Sequence, residues 1–145
     1  MDKQESRPRV LPSGNLIYSY LIFSSIAKAF SSSIKLLEDG EEATPERAAA
    51  TYLLLLQLEF SLRDLGSKLQ LYQFFQRDEV TRVVYGYIAR VTDLEASVEK
   101  LRKIQAGSLN PLLRSMLSRV LEESQRVLAE SKRLDRLIEK ILEKV

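Results

Sequence analysis

Apolar residues recur at alternating intervals of four and three along four separate stretches of the chain. The first row is Leu16, Tyr20, Phe23, Ala27, Phe30, Ile34 and Leu37, and the second is Thr51, Leu55, Leu58, Leu62, Leu65, Leu69 and Tyr72. The third is Val80, Val84, Tyr87, Val91, Leu94, Val98 and Leu101. The fourth runs through Leu113, Leu117, Val120, Ser124, Val127, Ser131, Leu134, Ile138, Ile141 and Val145. Residues three and four apart share one helix face, so each row is a coiled-coil-like seam that must be buried against another helix. The spacing predicts helices at about 14–38, 45–76, 78–105 and 109–144. Short connections predict an all-α, antiparallel up-down-up-down four-helix bundle in which sequential helices pack together and the C-terminal helix is long.

Punctuation between the rows supports these boundaries. Residues 1–12 (MDKQESRPRVLP) are polar, hold two prolines and show no period. They read as a flexible N-terminal arm, leaving 13–145 as a single domain. Ser13 or Asn15 is positioned to cap the first helix, and Asp39-Gly40 ends it with the residue type that favours a left-handed terminus. Thr44-Pro45-Glu46 combines a cap, a proline at the first helical position and an acid near the positive end of the helix dipole. Gly66 interrupts the second row without breaking its register. One continuous helix with a weak point therefore fits better than two, because an interior glycine costs only about 1 kcal/mol. Asp78 is placed to cap the third helix. Gly107 closes it, and Ser108 or Asn110 followed by Pro111 opens the fourth.

A chain of 145 residues suffices for one self-standing core. It contains neither Cys nor His, which removes disulfides, thiolate chemistry, Cys-ligated metal and the commonest general base and transition-metal ligand. Only two Asn are present, and with the dense charge this resembles the composition of thermophile proteins. No stretch is long and apolar enough for a membrane span. The uncharged run 10–27 fits a core helix better than an export signal, so a soluble, cytoplasmic protein is expected.

No residue constellation amounts to a chemical signature. The seam positions carry no carboxylate or His for the di-metal site typical of four-helix bundles, and Glu59, Glu95 and Asp135 fall on flanking positions. Ser33 with Lys35 and Ser67 with Lys68 stand one or two residues apart, so these pairs do not face each other on a helix. The five glycines are isolated and form no phosphate loop. The expectation is no enzyme, no cofactor and no metal.

What remains is association. The second helix is apolar on more than one side, with Tyr52, Leu53, Leu54, Leu55, Leu56, Leu58, Phe60 and Leu62 nearly encircling it. A second subunit must cover the excess, or else the fourth helix and the arm wrap over it. Leu53, Leu56 and Phe60, together with Phe74 and Phe75 near the next turn, are the candidate partner-binding residues, and a homodimer is the first expectation. Aromatics at a bundle end act either as a core plug or as a contact surface.

The alternative partner is nucleic acid. Arg119, Arg126, Arg133 and Lys140 recur every seven residues on the fourth helix. Arg7 and Arg9 on the arm and Lys100, Arg102 and Lys103 on the third helix add further cations. Against a phosphate track stands the ordinary reading of a solvated face, in which Glu122, Glu123 and Glu130 pair with those cations at the surface. The net charge of +2 favours the ordinary reading. Ser124 and Ser131 occupy seam positions where Leu would bury more area. They set a polar register or, more simply, make room for a large side chain opposite.

Overall fold

The computed structural model describes the backbone of residues 7–143 and the side chains of 15–143. Four helices account for nearly all of it: α1 (Arg7–Glu38), α2 (Pro45–Tyr72), α3 (Arg77–Gly107) and α4 (Pro111–Glu143). No strand occurs among the described residues. The 4-3 spacing places these helices because the seam rows are the core. From Leu16 to Ile141 every seam residue is buried except Tyr20 and Tyr72, which are half-buried. Val145 lies outside the described residues.

The boundaries follow local chemistry, with three differences from the sequence reading. Thr44 caps α2, its hydroxyl accepting from the Arg47 N–H at 3.1 Å. Asn110 caps α4 by accepting from Leu113 N–H at 3.0 Å. α2 passes through Gly66 unbroken, as its undisturbed register implies. Asp78, however, is not a cap: α3 starts one residue earlier, behind Gln76, and Asp78 and Glu79 sit in the first turn where they complement the helix dipole. Neither Gly40 nor Gly107 adopts a left-handed conformation. α1 begins at Arg7, ahead of Ser13 and Asn15, so neither residue stands at its cap position. Of the expected arm, residues 1–6 lie outside the described residues.

The order of the helices around the core departs from the simplest expectation. The chain alternates up and down, yet α2 and α3 barely touch, and the neighbours run α1–α2–α4–α3 around the bundle. The short link 73–76 therefore crosses the diagonal. Two pairs are antiparallel: Ser33 meets Thr51 and Ser19 meets Asp64 across α1/α2, while Gln105 meets Ser118 across α3/α4. The other two are parallel, with Ser31 beside Ser97 and Gly86 beside Tyr20 across α1/α3, and Arg63 beside Glu130 across α2/α4. The Ser31–Ser33 triplet shows how α1 sits between two partners. Positions two apart point about 200° apart on a helix. Ser31 accordingly bonds α3 at 2.9 Å, and Ser33 bonds α2 at 2.6 Å.

Large and small side chains alternate in the core as dense packing requires. Tyr87 is fully buried, 5.5 Å from the ring of Phe23, and its hydroxyl donates to the carbonyl of Ser131 at 3.2 Å. Ser124 and Ser131 turn their own hydroxyls back onto Leu121 and Leu128 carbonyls in α4. Ser131 thus makes room for Tyr87, the simpler of its two readings. Burial pushes the Tyr87 phenol far above its ordinary value, with the nearby Asp135 carboxylate acting in the same direction.

Candidate functional site

α2 is exposed along one flank because only α1 and α4 pack on it. Its stripe Leu53, Leu56 and Phe60 faces away from the core, and Phe60 is 74% exposed. Since α1 is its antiparallel neighbour, Ile22 and Ile26 come up beside Leu56 and Phe60. Together with Gln57, Ser61 and Asp64 they line a shallow groove of about 390 Å³. On the other flank Ala48, Ala49, Tyr52 and Leu53 meet Met116, Arg119 and Val120 of α4 around a second groove of about 310 Å³. The apolar excess of α2 is thus left at the surface. Tyr18, Leu21 and Ile22 of α1 are also exposed.

Phe74 and Phe75 are exposed too, at 65% and 70%, and do not plug the core. They belong to a different place. Fourteen residues separate Phe60 from Phe74, some 20 Å along the bundle. The five partner-binding candidates therefore divide into a mid-bundle stripe and an end cluster. Of the other aromatics near the turn, Tyr87 is core and Tyr85 is exposed.

The seam between the parallel helices α2 and α4 holds the strongest electrostatic feature. Residues Met116, Glu123, Glu130 and Leu137, seven apart, lie along the α2 side of α4. Glu123 is only 2% exposed and so is not the surface charge that its spacing from Arg119 and Arg126 implies. One of its carboxylate oxygens accepts from Arg126 Nη1 at 2.7 Å, while the other, Oε2, is buried without a partner. Across the seam stand Glu59 and Arg63. The Arg63 guanidinium pairs with Glu59 at 2.5 Å and Glu130 at 3.0 Å. The neighbouring Glu123 carboxyl holds the Glu59 carboxyl above its ordinary value, and burial adds to the effect. These acids are bound to arginines, and no group of three or more acidic side chains among the described residues is arranged to hold a metal ion.

The basic line on α4 runs just outside this acidic row. Arg126 is engaged by Glu123, and Arg133 lies 3.8 Å from Glu130. Arg119 lines the apolar groove beside Tyr52 and Leu53. Lys140 faces a larger groove at the end of the bundle, joined by Arg136, a cation that the seven-residue repeat does not select. Lys100, Arg102 and Lys103 do not extend the line. Lys100 approaches Glu38 of α1 at 3.9 Å, on the α1/α3 side, opposite the α2/α4 seam. Arg7 and Arg9 fall in the part of α1 whose side chains are outside the description.

A serine–lysine contact exists, between residues far apart in sequence. Lys68 Nζ donates to Ser19 Oγ at 2.9 Å and to Asp64 at 3.0 Å, while Ser19 donates to Asp64 at 2.8 Å. Burial opposes ionisation of Asp64, but the bonds from Ser19 and Lys68 outweigh it and hold the carboxyl below its ordinary value. The serine proton is committed to a carboxylate and the ammonium to the same acid. The trio therefore clasps α1 to α2 and provides no free base. Ser33 is buried against Thr51, away from exposed Lys35.

No helix among the described residues is long and apolar enough to cross a membrane. Compared with known protein families, with curated proteins and with solved structures, the chain matches none.

Proposed function

We propose that the protein is a non-enzymatic association module whose first partner is a second copy of itself, bound through the outer face of α2. The observation that carries this reading is the stripe Leu53, Leu56 and Phe60 standing beside the apolar groove it shares with Ile22 and Ile26. A contiguous apolar patch of several hundred Å² is unusual on a monomer. The patch is also self-complementary, because a projecting phenyl ring stands next to a groove of matching chemistry. About a two-fold axis, Phe60 of each copy enters the groove of the other, the geometry of an isologous dimer. Such an interface has to bury at least about 1,000 Å² in total to be stable. The polar surroundings, Gln57 and Asp64 in the groove and exposed Arg63 nearby, suit the rim of such an interface.

Sedimentation equilibrium on the wild type and on Phe60→Glu tests this directly. The wild type is expected to sediment as a dimer at micromolar concentration. The variant is expected to be a monomer with unchanged helicity, because Phe60 contributes little to the core of a single copy. A wild type that stays monomeric at high micromolar concentration refutes the proposal.

A further inference from the structure

We infer that the groove between the last turns of α2 and α4 binds a short single-stranded segment of nucleic acid, with phosphates on Arg133, Arg136 and Lys140 and one base on Phe74. This site lies at the far end of the bundle from the midpoint of the α2 stripe, and the inference does not rest on the self-association reading.

Residues 133, 136 and 140 stand three and four apart, so α4 directs all three cations to one side. The parallel packing of α2 brings Gln70, Gln73 and Phe74 opposite them. With Leu137 these residues line a groove of about 500 Å³, within the size range of ligand sites. No carboxylate of the described residues lines it. Among the described residues, no carboxylate lies within 4 Å of Arg136 or Lys140, whereas Arg63 and Arg126 are tied to Glu59, Glu130 and Glu123. Among the described residues, the one acid within 4 Å of Arg133 is Glu130 at 3.8 Å, which Arg63 holds closer at 3.0 Å. Asp78 belongs to a smaller adjoining groove that shares Gln73 and Phe74 as a wall.

A cluster of cations on the last turns of a helix is ordinarily explained by the helix dipole alone. The dipole gives no reason for an exposed phenyl ring and two side-chain amides to face those cations. A nucleotide strand uses all three: phosphates meet the cations, a base stacks on the ring, and the base edge meets an amide. An acidic peptide uses only the cations. From Arg133 to Lys140 the helix rises about 10 Å, close to three nucleotides at about 3.4 Å each.

The test is fluorescence anisotropy of labelled twelve-residue oligouridine and oligothymidine at 50 mM salt, with uridine monophosphate and a polyglutamate peptide as competitors. Three neutralised phosphates on a single strand give a slope of about −2 in log K against log salt, or roughly a twentyfold loss between 50 and 200 mM. The double substitution Arg136→Glu with Lys140→Glu is expected to abolish binding. Phe74→Ala is expected to weaken it roughly fivefold or more, the loss of one stacked base. Phe75→Ala, and Lys100→Glu with Lys103→Glu, are expected to leave it unchanged within about twofold, since these residues do not line the groove. All the substituted side chains are at the surface, and far-ultraviolet circular dichroism checks that each variant is folded. The inference is overturned if neither strand binds at 50 mM salt or if Phe74→Ala binds as tightly as the wild type. Equally tight competition by polyglutamate or by the free mononucleotide overturns it as well.

Discussion

Replacing Glu123 with leucine is expected to stabilise the protein, against the usual direction for a buried residue. Glu123 sits in the α2/α4 seam with one oxygen bonded to Arg126 and the other unpartnered and dry. A buried acceptor without a donor costs about 1–3 kcal/mol. Replacing buried ion pairs with well-packed apolar residues of similar volume has been neutral or stabilising by about 1–4 kcal/mol. The bond given up ends on an exposed guanidinium, where solvent screening leaves little net attraction. Arg126 can return to water, and Glu59 keeps Arg63 as its partner. The net gain is therefore about 2 kcal/mol near neutral pH, equivalent to a rise of about 6 °C in Tm for a chain of this size. Glu123 is also the main cause of the upward shift at Glu59, a penalty on the ionised form that fades as the pH falls, so the advantage of the leucine variant is expected to shrink towards pH 4.5, the ordinary value for Glu59. Thermal unfolding followed by circular dichroism at pH 7.5 and pH 4.5 measures both effects. A loss of more than about 1 kcal/mol at pH 7.5 would refute the reasoning, showing that the carboxylate holds α2 and α4 together more strongly than its desolvation pushes them apart.

Three further outcomes follow from single contacts. Because Glu59 is shifted upward, its contribution to stability is complete below its unfolded value and is lost as pH rises through the folded one. Glu59→Gln, which carries no charge at any pH, is expected to match the wild type near pH 4 and exceed it near pH 7 in urea titrations, and parallel curves would disprove the upward shift. Gly66→Ala is expected to stabilise by about 0.5–1 kcal/mol in the same assay, because the added methyl meets only Leu134 Cδ1 at an ordinary 3.5 Å while the helix gains propensity. Thr51 donates to the Arg47 carbonyl at 2.8 Å and so accepts from Ser33 at 2.6 Å. Thr51→Val is expected to cost about 1–3 kcal/mol by stranding that buried hydroxyl, and the added change Ser33→Ala to recover part of the loss, as a double-mutant cycle would report.

The seam rows determined that there are four helices and most of the side chains that form the core, and with the punctuation between them they placed every helix end to within about four residues except the start of α1, which lies at Arg7 rather than near 14. They could do so because burial on a helix repeats every three or four residues, a period visible in any sequence. Thr44 and Asn110 were legible as caps for a similar reason, since capping acts within one turn of chain. The exposed apolar face of α2 was legible as an excess: Leu53, Leu56 and Phe60 lie off the seam, and four helices around one core leave each an outer side. Tertiary structure alone decided who stands next to whom. A seam records that a face is buried but not against which neighbour, so the order α1–α2–α4–α3 could not be read from it. Everything that depends on that order was hidden too. Glu123 does pair with a surface arginine, as its spacing implies, but its own burial was decided only by α2 closing over it. Ser19, Asp64 and Lys68 form their clasp across 45 and 49 residues of sequence. Arg136 lies off the seven-residue line and joins Arg133, Lys140 and Phe74 only because α2 and α4 run parallel and end together. Contacts within one helix are set by intervals along the chain, whereas contacts between helices depend on how the whole core packs.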